Sequence, residues 1–340
     1  MLLRLPAFVF ACAALASVPL ARGQTALTSG DPFVEAREAR AWLLRIQEAA
    51  NKRNFVGTIV VSAGGTVAST RIAHYGEGRD QYERIDSLDG QVRSVVRHND
   101  QVHTVWPKRR VAVVEQRGKM SSFPGLLQAG HERVQEYYEL KPIAEERVAG
   151  HEAHVLLLQP RDKLRYGYRL WADKATNLLL RAEVLGERGE VLESSAFSEV
   201  SIGVRPQHEH VMQAVRKLDG YKVIQHRQVP TQPEGEGWTL KAAVPGFKLV
   251  SCVKSQLDVV TSEGAASGGQ ALQTVYSDGL TYVSIFIEPY NAERHTRPMS
   301  TLIGATQTLM RREGDWWITV LGDVPAATLR QFANGIERRK

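Results

Sequence analysis

Apolar residues follow a helical period soon after residue 30. Asp31-Pro32 is typical of a helix start, because aspartate accepts hydrogen bonds from free backbone N–H groups and proline fits the first turn. One face of that helix gathers the apolar side chains Ala39, Trp42, Leu43, Ile46 and Ala50. The pattern predicts an amphipathic helix of about five turns that ends within residues 51–54.

From Phe55 the period of the pattern changes to two, which is typical of a strand with one buried face. Further alternating runs follow at Val67–Tyr75, Gln81–Leu88, Val92–Arg97, Gln101–Trp106 and Val111–Glu115. Turn residues such as Gly64-Gly65 and Asn99-Asp100 separate these runs. Strands at such regular spacing predict an antiparallel meander.

A second set of strands follows an interruption at Arg117–Gly130, where glycine and proline do not fit a continuous strand. A short helix is predicted at His131–Tyr137, and strand-like runs follow it at Tyr138–Arg147, Ala153–Gln159, Leu164–Ala172, Leu178–Gly186 and Val191–Ser201. A sheet of about ten strands must curl or close. Residues 24–204 are therefore predicted to form one curved antiparallel sheet. The helix that carries Trp42 and the loop at Arg117–Gly130, which carries Phe123, are expected to cover its concave face.

The remaining chain divides into a connection and a smaller domain. Residues 205–237 hold prolines, glycines and histidines with few regular apolar positions, which predicts a partly ordered linker. Residues 238–340 predict a small α+β domain, one sheet covered by a terminal helix that starts at Pro325. Ser277-Asp278-Gly279 is a hairpin signal, and Ser262–Gln270 is interpreted as a flexible hairpin loop.

Residues 1–23 have the pattern of a secretory signal peptide. Arg4 supplies the charged start, an apolar run follows, and Ala21-Arg22-Gly23 places small residues before a cleavage site. The run is shorter than the roughly 20 apolar residues that a spanning helix needs. The sequence therefore predicts export, with cleavage near Gly23/Gln24.

Composition narrows the class of protein. With 43% hydrophobic and 24% charged residues, the chain is globular rather than disordered, collagenous or polytopic in a membrane. A net charge of +6 is too small to suggest a nucleic-acid partner but suits anionic surfaces or acidic partners. Of its two cysteines, Cys12 lies in the predicted signal peptide, which leaves no intrachain disulfide. Cys252 lies in an apolar run and is predicted to be a small buried side chain.

Residues capable of catalysis do not form a recognised arrangement. The sequence has no nucleophile elbow, zinc-protease motif, phosphate-binding loop or dinucleotide fingerprint. His151-Glu152-Ala153-His154 resembles a metal motif, but residues three apart on a strand face opposite sides. His208 and His210 lack a clear third ligand. The sequence therefore predicts neither an enzyme nor a cofactor or metal site.

Two features suggest binding instead. The loop at Arg117–Gly130, which is interrupted by glycine and proline, carries four apolar residues, Met120, Phe123, Leu126 and Leu127. With Trp42 they could cover an apolar pocket for a lipid, or they could simply fill the core. The segment from Trp106 to Arg110 places Lys108, Arg109 and Arg110 beside an aromatic ring on a hairpin turn. These residues could bind an acidic partner or phosphate groups, or form a solvated turn.

Several short motifs stand in a fixed order along the chain. They are Phe55–Thr58, Tyr168–Asp173, Leu178–Arg181 and Gly189–Glu193 in the first domain, and Pro245–Leu249, Tyr276–Leu280, Val283–Glu288 and Gly322–Pro325 in the second. Together they resemble the MucB/RseB family of periplasmic negative regulators of an envelope-stress sigma factor. The resemblance covers essentially the whole chain after residue 23.

The resemblance implies a first domain like the lipoprotein carriers of the LolA type, an open half-barrel with helices in its concavity. It also implies a smaller second domain that binds the anti-sigma factor. Family members bind the periplasmic part of a transmembrane anti-sigma factor of the RseA/MucA type and shield it from the site-1 protease. A lipid-like signal such as lipopolysaccharide is thought to release them.

One alternative is a soluble periplasmic carrier of lipoprotein acyl chains. The additional second domain argues against it, since a minimal carrier needs no such module. The sequence leaves open whether the chain forms a homo-oligomer.

Overall fold

The computed structural model describes residues 32–116, 134–261, 264–295 and 297–339. It places them in a twelve-stranded sheet, a seven-stranded sheet and a two-stranded ribbon, together with four helices. The larger sheet is open, because its two edge strands do not pair with each other. This mostly β architecture, an open sheet joined to a smaller α+β unit, confirms the predicted fold class.

The larger sheet uses the alternating runs that the sequence predicts. Its first six strands are β1 (Phe55–Ala63), β2 (Thr66–Glu77), β3 (Asp80–Ser87), β4 (Ser94–His98), β5 (Gln101–Trp106) and β6 (Val111–Gln116). After helix α2 (Val134–Tyr137) follow β7 (Tyr138–Val148), β8 (His151–Pro160), β9 (Gly167–Asp173), β10 (Leu179–Leu185) and β11 (Val191–Ile202). The predicted bounds are close to these because turn residues separate the strands clearly.

Two antiparallel meanders make up this sheet. Strands β1 to β6 pair in chain order, and so do β7 to β11. The meanders join where β1 pairs with β11, from Phe55 opposite Ile202 to Ala63 opposite Glu193. Gly57 lies at this seam, and a Cβ atom there would come within 2.5 Å of the Glu199 carbonyl oxygen. Glycine therefore allows the two strands to approach each other.

Residues 205–237 contain regular structure that the sequence pattern did not reveal. They form helix α3 (His208–Arg216) and the strands β12 (Lys222–His226) and β13 (Gln228–Pro230). Strand β12 pairs in parallel with β6, whereas β13 joins the smaller sheet. The connection is thus hydrogen-bonded to both sheets. Runs of three to five residues are too short to show a readable period.

Helix α1 (Pro32–Lys52) packs on the curved sheet as the apolar pattern predicts. It contacts β2, β7 and β10, which lie far apart in the strand order. Strands β7 and β11 also contact each other, although three strands lie between them. The sheet therefore curls around the helix. Leu43 and Ile46 are buried in this contact, while Leu44 is 39% exposed.

The smaller sheet and its helix follow the connection. Its elements are β14 (Trp238–Leu240), β15 (Lys248–Thr261), β16 (Gly264–Ser277), β17 (Tyr282–Pro289), β18 (Met299–Ile303), β19 (Thr306–Glu313), β20 (Trp316–Gly322), α4 (Ala326–Gly335) and β21 (Ile336–Arg338). The strand order is β13-β15-β16-β17-β20-β19-β18, and β14 pairs with β21. Helix α4 covers β19 and β20, as predicted for the terminal helix.

The predicted loop at Ser262–Gln270 is instead mostly strand. Thr261 pairs with Gly264, and the ladder of β15 and β16 continues from there to the core. Residues 264–269 are small residue types that are uncommon in strands, which is why the sequence pattern predicts a loop there. Only residues 262 and 263 of this hairpin lie outside the described residues.

Candidate functional site

Trp42 on helix α1 lies at the contact between helix and sheet. Its ring meets His154 of β8 edge-on, with the ring centres 5.0 Å apart. The guanidinium of Arg45 lies 5.9 Å from the centre of the Trp42 ring. Trp42 is partly buried against the core cluster that contains Leu43 and Ile46. Trp42 is therefore part of the packed contact between helix and sheet.

A cavity of about 360 Å³ opens at the carboxyl end of α1. It is lined by Arg45, Glu48, Ala49, Lys52, Arg53, Thr176 and Asn177. Lys52 bonds Glu48 at 2.7 Å and lowers the pKa of that carboxyl. The lining is polar and rich in cations, so this cavity suits an anionic headgroup better than an acyl chain.

The other predicted lipid-binding residues, Met120, Phe123, Leu126 and Leu127, lie outside the described residues. Their assignment to a lipid pocket stays a prediction. The described chain resumes at Val134, whose side chain is fully buried in the cluster beneath α1.

The predicted basic turn is the connection between β5 and β6. Pro107–Arg109 form one turn of 3-10 helix, and Arg110 follows with the left-handed backbone φ 49° and ψ 44°. The side chains of Lys108, Arg109 and Arg110 are exposed, and Trp106 is half-buried. Among the described residues, no carboxylate pairs with any of the three cations. Their assignment to an acidic partner stays a prediction.

A buried ion pair joins the larger sheet to the smaller one. Arg165, just before β9, places Nη1 3.3 Å from Oδ2 of Asp278, and both side chains are 0% exposed. Arg165 also donates to the Pro245 carbonyl oxygen at 2.8 Å. Asp278 accepts the backbone N–H groups of Leu280 and Thr281, both at 2.9 Å. Arg165 therefore has two partners on the other side of the junction, and Asp278 is also held by N–H groups of its own turn.

Aromatic and hydroxyl groups complete this junction. The Tyr138 hydroxyl donates to Asp278 Oδ2 at 3.2 Å, and the Thr328 hydroxyl donates to the Leu164 carbonyl oxygen at 2.8 Å. The Arg165 guanidinium lies 4.3 Å from the centre of the Tyr137 ring. The two sheets therefore meet through a packed and hydrogen-bonded interface.

Carboxyl groups at the junction titrate abnormally because they are buried. Burial raises the pKa of Asp278, opposed by the backbone N–H of Thr281 and by Arg165. Burial also raises the pKa of Asp323, although the Thr306 hydroxyl donates to it at 2.6 Å. For Glu193 of β11, burial and then the nearby Asp323 raise the pKa. The charge of Asp323, just after β20, thus influences a carboxyl of the larger sheet.

Three of the four histidines singled out by sequence have side-chain partners, and the fourth, His210, is exposed on α3. His151 lies 3.4 Å from Asp173, and His154 lies 3.4 Å from Glu145. His208 packs its ring against Tyr82, with centres 4.3 Å apart. Within the described ranges, no three His, Cys, Asp or Glu residues are grouped closely enough to hold a metal ion.

Cys252 is buried on β15, as its apolar surroundings predict. Burial is the main cause that raises the pKa of its thiol to about 11. The thiol is therefore protonated and unreactive at neutral pH.

Sequence reasoning missed the junction. Ser277-Asp278-Gly279 was interpreted only as a hairpin signal, and Arg165 only as part of a strand-like run. A signal was present, since Arg165 is a cation within the apolar run Leu164–Ala172. Its partner lies 113 positions further along the chain, which pattern reasoning cannot connect.

The fold and its surfaces define a class, a two-sheet β protein whose large open sheet holds a helix. In the described part of the chain, no helix is long and apolar enough to cross a membrane. The chain belongs to the MucB/RseB family. The pattern of the MucB/RseB N-terminal domain matches residues 38–215, and that of the C-terminal domain matches residues 232–337.

Individual relatives agree with this membership. The chain is 28% identical over 317 residues to the sigma factor AlgU regulatory protein MucB of Pseudomonas aeruginosa, covering 90% of this chain and 92% of the relative. It is 24% identical over 272 residues to the sigma-E factor regulatory protein RseB of Escherichia coli K12, covering 80% and 81%. The crystal structure of MucB in complex with MucA(peri) superimposes with a TM-score of 0.65 at 26% identity, over 89% of this chain and 99% of that one.

Proposed function

We propose that this protein binds the periplasmic segment of a transmembrane anti-sigma factor and so restrains an envelope-stress sigma factor. The observation that carries the proposal is the match over 89% of the chain to MucB solved in complex with MucA(peri). Relatives from two other species carry names as sigma factor regulators. The match includes both sheets, so the whole two-sheet body supports the proposal.

The proposed location is the periplasm. The signal-peptide pattern of residues 1–23 supports export, and cleavage near Gly23/Gln24 would leave a chain that starts just before α1. In that compartment the protein would meet the anti-sigma segment and shield it from the first proteolytic cut. Binding, rather than catalysis, is the activity proposed here.

The proposed trigger is a lipid-like ligand that prefers the partner-free state. Such a ligand weakens partner binding by its differential affinity for the two states. Helix α1 is the element best placed to respond, because it contacts strands from both meanders and ends in a cation-lined cavity. A ligand with an anionic headgroup and acyl chains could therefore compete with the docked helix.

Isothermal titration calorimetry tests the proposal. The purified chain is titrated with the periplasmic segment of the anti-sigma factor from the same organism, with and without lipopolysaccharide. Tight binding that lipopolysaccharide weakens is the expected result. Tight binding that lipopolysaccharide leaves unchanged would keep the regulator and remove the proposed trigger. Absence of binding would overturn the proposal.

The alternative carrier function predicts a different partner. Immobilised protein would then retain acylated lipoprotein rather than the anti-sigma segment. A pull-down with both candidates in one mixture separates the two functions directly. A non-acylated form of the same lipoprotein is the control, because a carrier recognises the acyl chains.

A further inference from the structure

Four connections of the larger sheet lie at one of its ends. Antiparallel pairing places the β1–β2, β3–β4 and β5–β6 connections at the same end. The parallel register of β12, with Lys222 opposite Val111, brings the α3–β12 connection to that end as well. Connections of neighbouring strand pairs are about 10 Å apart. Side chains on the β3–β4 and β5–β6 connections can therefore act as one surface.

The side chains at this end combine apolar and cationic groups. Leu88 and Val92 of the β3–β4 connection are 48% and 47% exposed. Arg93 is exposed beside them, and Ser94 pairs with Val105, so Arg93 lies next to Trp106 at the sheet end. We name this surface the basic rim, defined by Leu88, Val92, Arg93, Trp106, Lys108, Arg109 and Arg110.

The backbone beneath the basic rim is fixed. Ser87 N–H bonds the Arg93 carbonyl oxygen at 2.9 Å, and Leu88 N–H bonds the Ser69 carbonyl oxygen at 3.0 Å. In the neighbouring turn, Lys222 N–H bonds the Arg110 carbonyl oxygen at 2.8 Å. The exposed side chains are thus presented on short, hydrogen-bonded turns rather than on a long loop.

The positive charge of the basic rim is largely uncompensated. Two exposed carboxylates lie at the same end of the sheet. Asp89 of the β3–β4 connection accepts the Ser69 backbone N–H at 2.6 Å through Oδ2, and Asp219 lies on the α3–β12 connection. Asp86 at the end of β3 is paired with Arg84 at 2.9 Å. The four cations of the basic rim therefore face solvent against two carboxylates, one of which is already hydrogen-bonded, and the net charge at this end stays positive.

We propose that the basic rim docks this protein on the surface of a bilayer that contains anionic phospholipid. Anionic headgroups attract clustered Lys and Arg, and Trp is enriched where water meets the hydrocarbon region. Exposed Leu and Val side chains beside these groups gain by entering the interface. The basic rim consists of projecting turn tips, which suit a flat surface, whereas an acidic peptide would need a groove.

Electrostatic attraction dominates the expected affinity. Each basic residue at such a surface contributes about fivefold in binding, so three contribute about a hundredfold. The attraction acts only within a Debye length, about 10 Å at 0.1 M salt. Docking is therefore expected to be reversible and to weaken as salt is raised.

Vesicle sedimentation tests the proposal with the purified chain. Vesicles of phosphatidylcholine alone are compared with vesicles that also contain phosphatidylglycerol. The wild-type chain is expected to sediment with the anionic vesicles and not with the neutral ones. The variant K108Q/R109Q/R110Q is expected to bind the anionic vesicles about a hundredfold more weakly.

A matched control removes the same charge elsewhere. Arg79, Arg147 and Arg205 are exposed at the opposite end of the sheet and lie outside the cavity at the end of α1. The variant R79Q/R147Q/R205Q is expected to bind the vesicles within about threefold of wild type, the residual effect of net charge. A second variant, L88S/V92S, tests the apolar share and is expected to weaken binding about tenfold. All these side chains are exposed, so melting temperatures should be unchanged.

Three results would overturn the proposal. They are absence of wild-type sedimentation with anionic vesicles, equal losses in the two charge variants, and a basic-rim variant that binds vesicles normally.

Calorimetry with the anti-sigma segment is run on the same variants. If the basic-rim variant loses only peptide binding, the turn recognises an acidic peptide instead and the membrane proposal fails. Vesicle binding without peptide binding would sustain this inference and overturn the proposed function alone.

Discussion

At the scale of single residues, the junction between the sheets depends on a few buried charges. Arg165 and Asp278 are both fully buried, and each has additional partners besides the ion pair. Such a pair is not by itself strong evidence of stabilisation, because removing two charges from water is costly. Removing one partner alone, however, leaves an uncompensated buried charge.

We therefore expect Arg165→Met to lower the free energy of unfolding by about 3–5 kcal/mol. Asp278→Asn should also destabilise, and the double variant should lose less than the sum of the single variants because they share one interaction. Urea denaturation measures all three. Glu209→Gln, which breaks the exposed pair with Arg216, should stay within about 1 kcal/mol of wild type. Additive losses in the double variant would contradict the coupling.

The raised pKa values at the junction predict a pH dependence. For a carboxyl with a raised native pKa, the native state binds more protons than the unfolded state, so stability falls as pH rises. The fall begins near the unfolded value of about 4 and ends above the native pKa. Asp323→Asn keeps the oxygen that accepts the Thr306 hydroxyl and removes this ionisation.

The difference in unfolding free energy, wild type minus Asp323→Asn, should therefore decrease as pH rises from about 4 to neutral. Urea denaturation at several pH values measures this difference. Because it is a difference, contributions from exposed carboxyls cancel. A difference that stays constant or grows with pH would contradict the role assigned to burial.

At the scale of elements, helix α1 packs inside the larger sheet, and strands β12 and β13 connect that sheet to the smaller one. Helix α1 buries one face against a sheet that curls around it. Strands β12 and β13 are separated by a single residue, yet each pairs with a different sheet. The short connection through β12 and β13 therefore ties the two sheets together by backbone hydrogen bonds.

Helix α1 offers a matched pair of neighbouring leucines. Leu43→Ala removes a fully packed side chain and should cost about 2–5 kcal/mol of unfolding free energy, because a cavity remains. Leu44→Ala, one position along and 39% exposed, should cost less than about 1 kcal/mol. Thermal or urea unfolding of both variants gives the comparison. Equal losses would show that the helix does not dock through the predicted face.

At the scale of the whole molecule, one core cluster contains residues from both sheet-forming parts of the chain, although the smaller sheet also has a cluster of its own. Leu280 and Ala305, from the part of the chain that forms the smaller sheet, belong to the cluster under α1. The β1–β2 turn also touches the smaller sheet, since a Cβ atom on Gly64 would lie 3.1 Å from the backbone nitrogen of Gly304. These contacts span the molecule from one sheet to the other.

We therefore expect the two sheets to unfold in one cooperative transition. Scanning calorimetry should give a single peak whose calorimetric and van't Hoff enthalpies agree. Arg165→Met, which loosens the junction, should broaden this peak or divide it into two. Two resolved peaks in the wild-type protein would show that the sheets are independent units.

The sequence by itself determined the local elements. Alternating apolar and polar residues, interrupted by turn residues, marked the strands of both sheets. The apolar face that includes Leu43 marked helix α1. Both patterns depend only on residues close together in the chain. Cys252 was recognised as buried for the same reason. The basic turn at Lys108 to Arg110 was also visible, since a hairpin turn and a cluster of cations are both local features.

Only the tertiary structure decided how distant segments meet. The pairing of β12 with one sheet and β13 with the other has no signature in such short runs. The register and curvature of the sheets bring Arg165 to Asp278. They also place Leu88, Val92 and Arg93 beside the basic turn. Those quantities arise from contacts between residues far apart in the chain. Local periodicity carries no information about which distant partner a residue will meet.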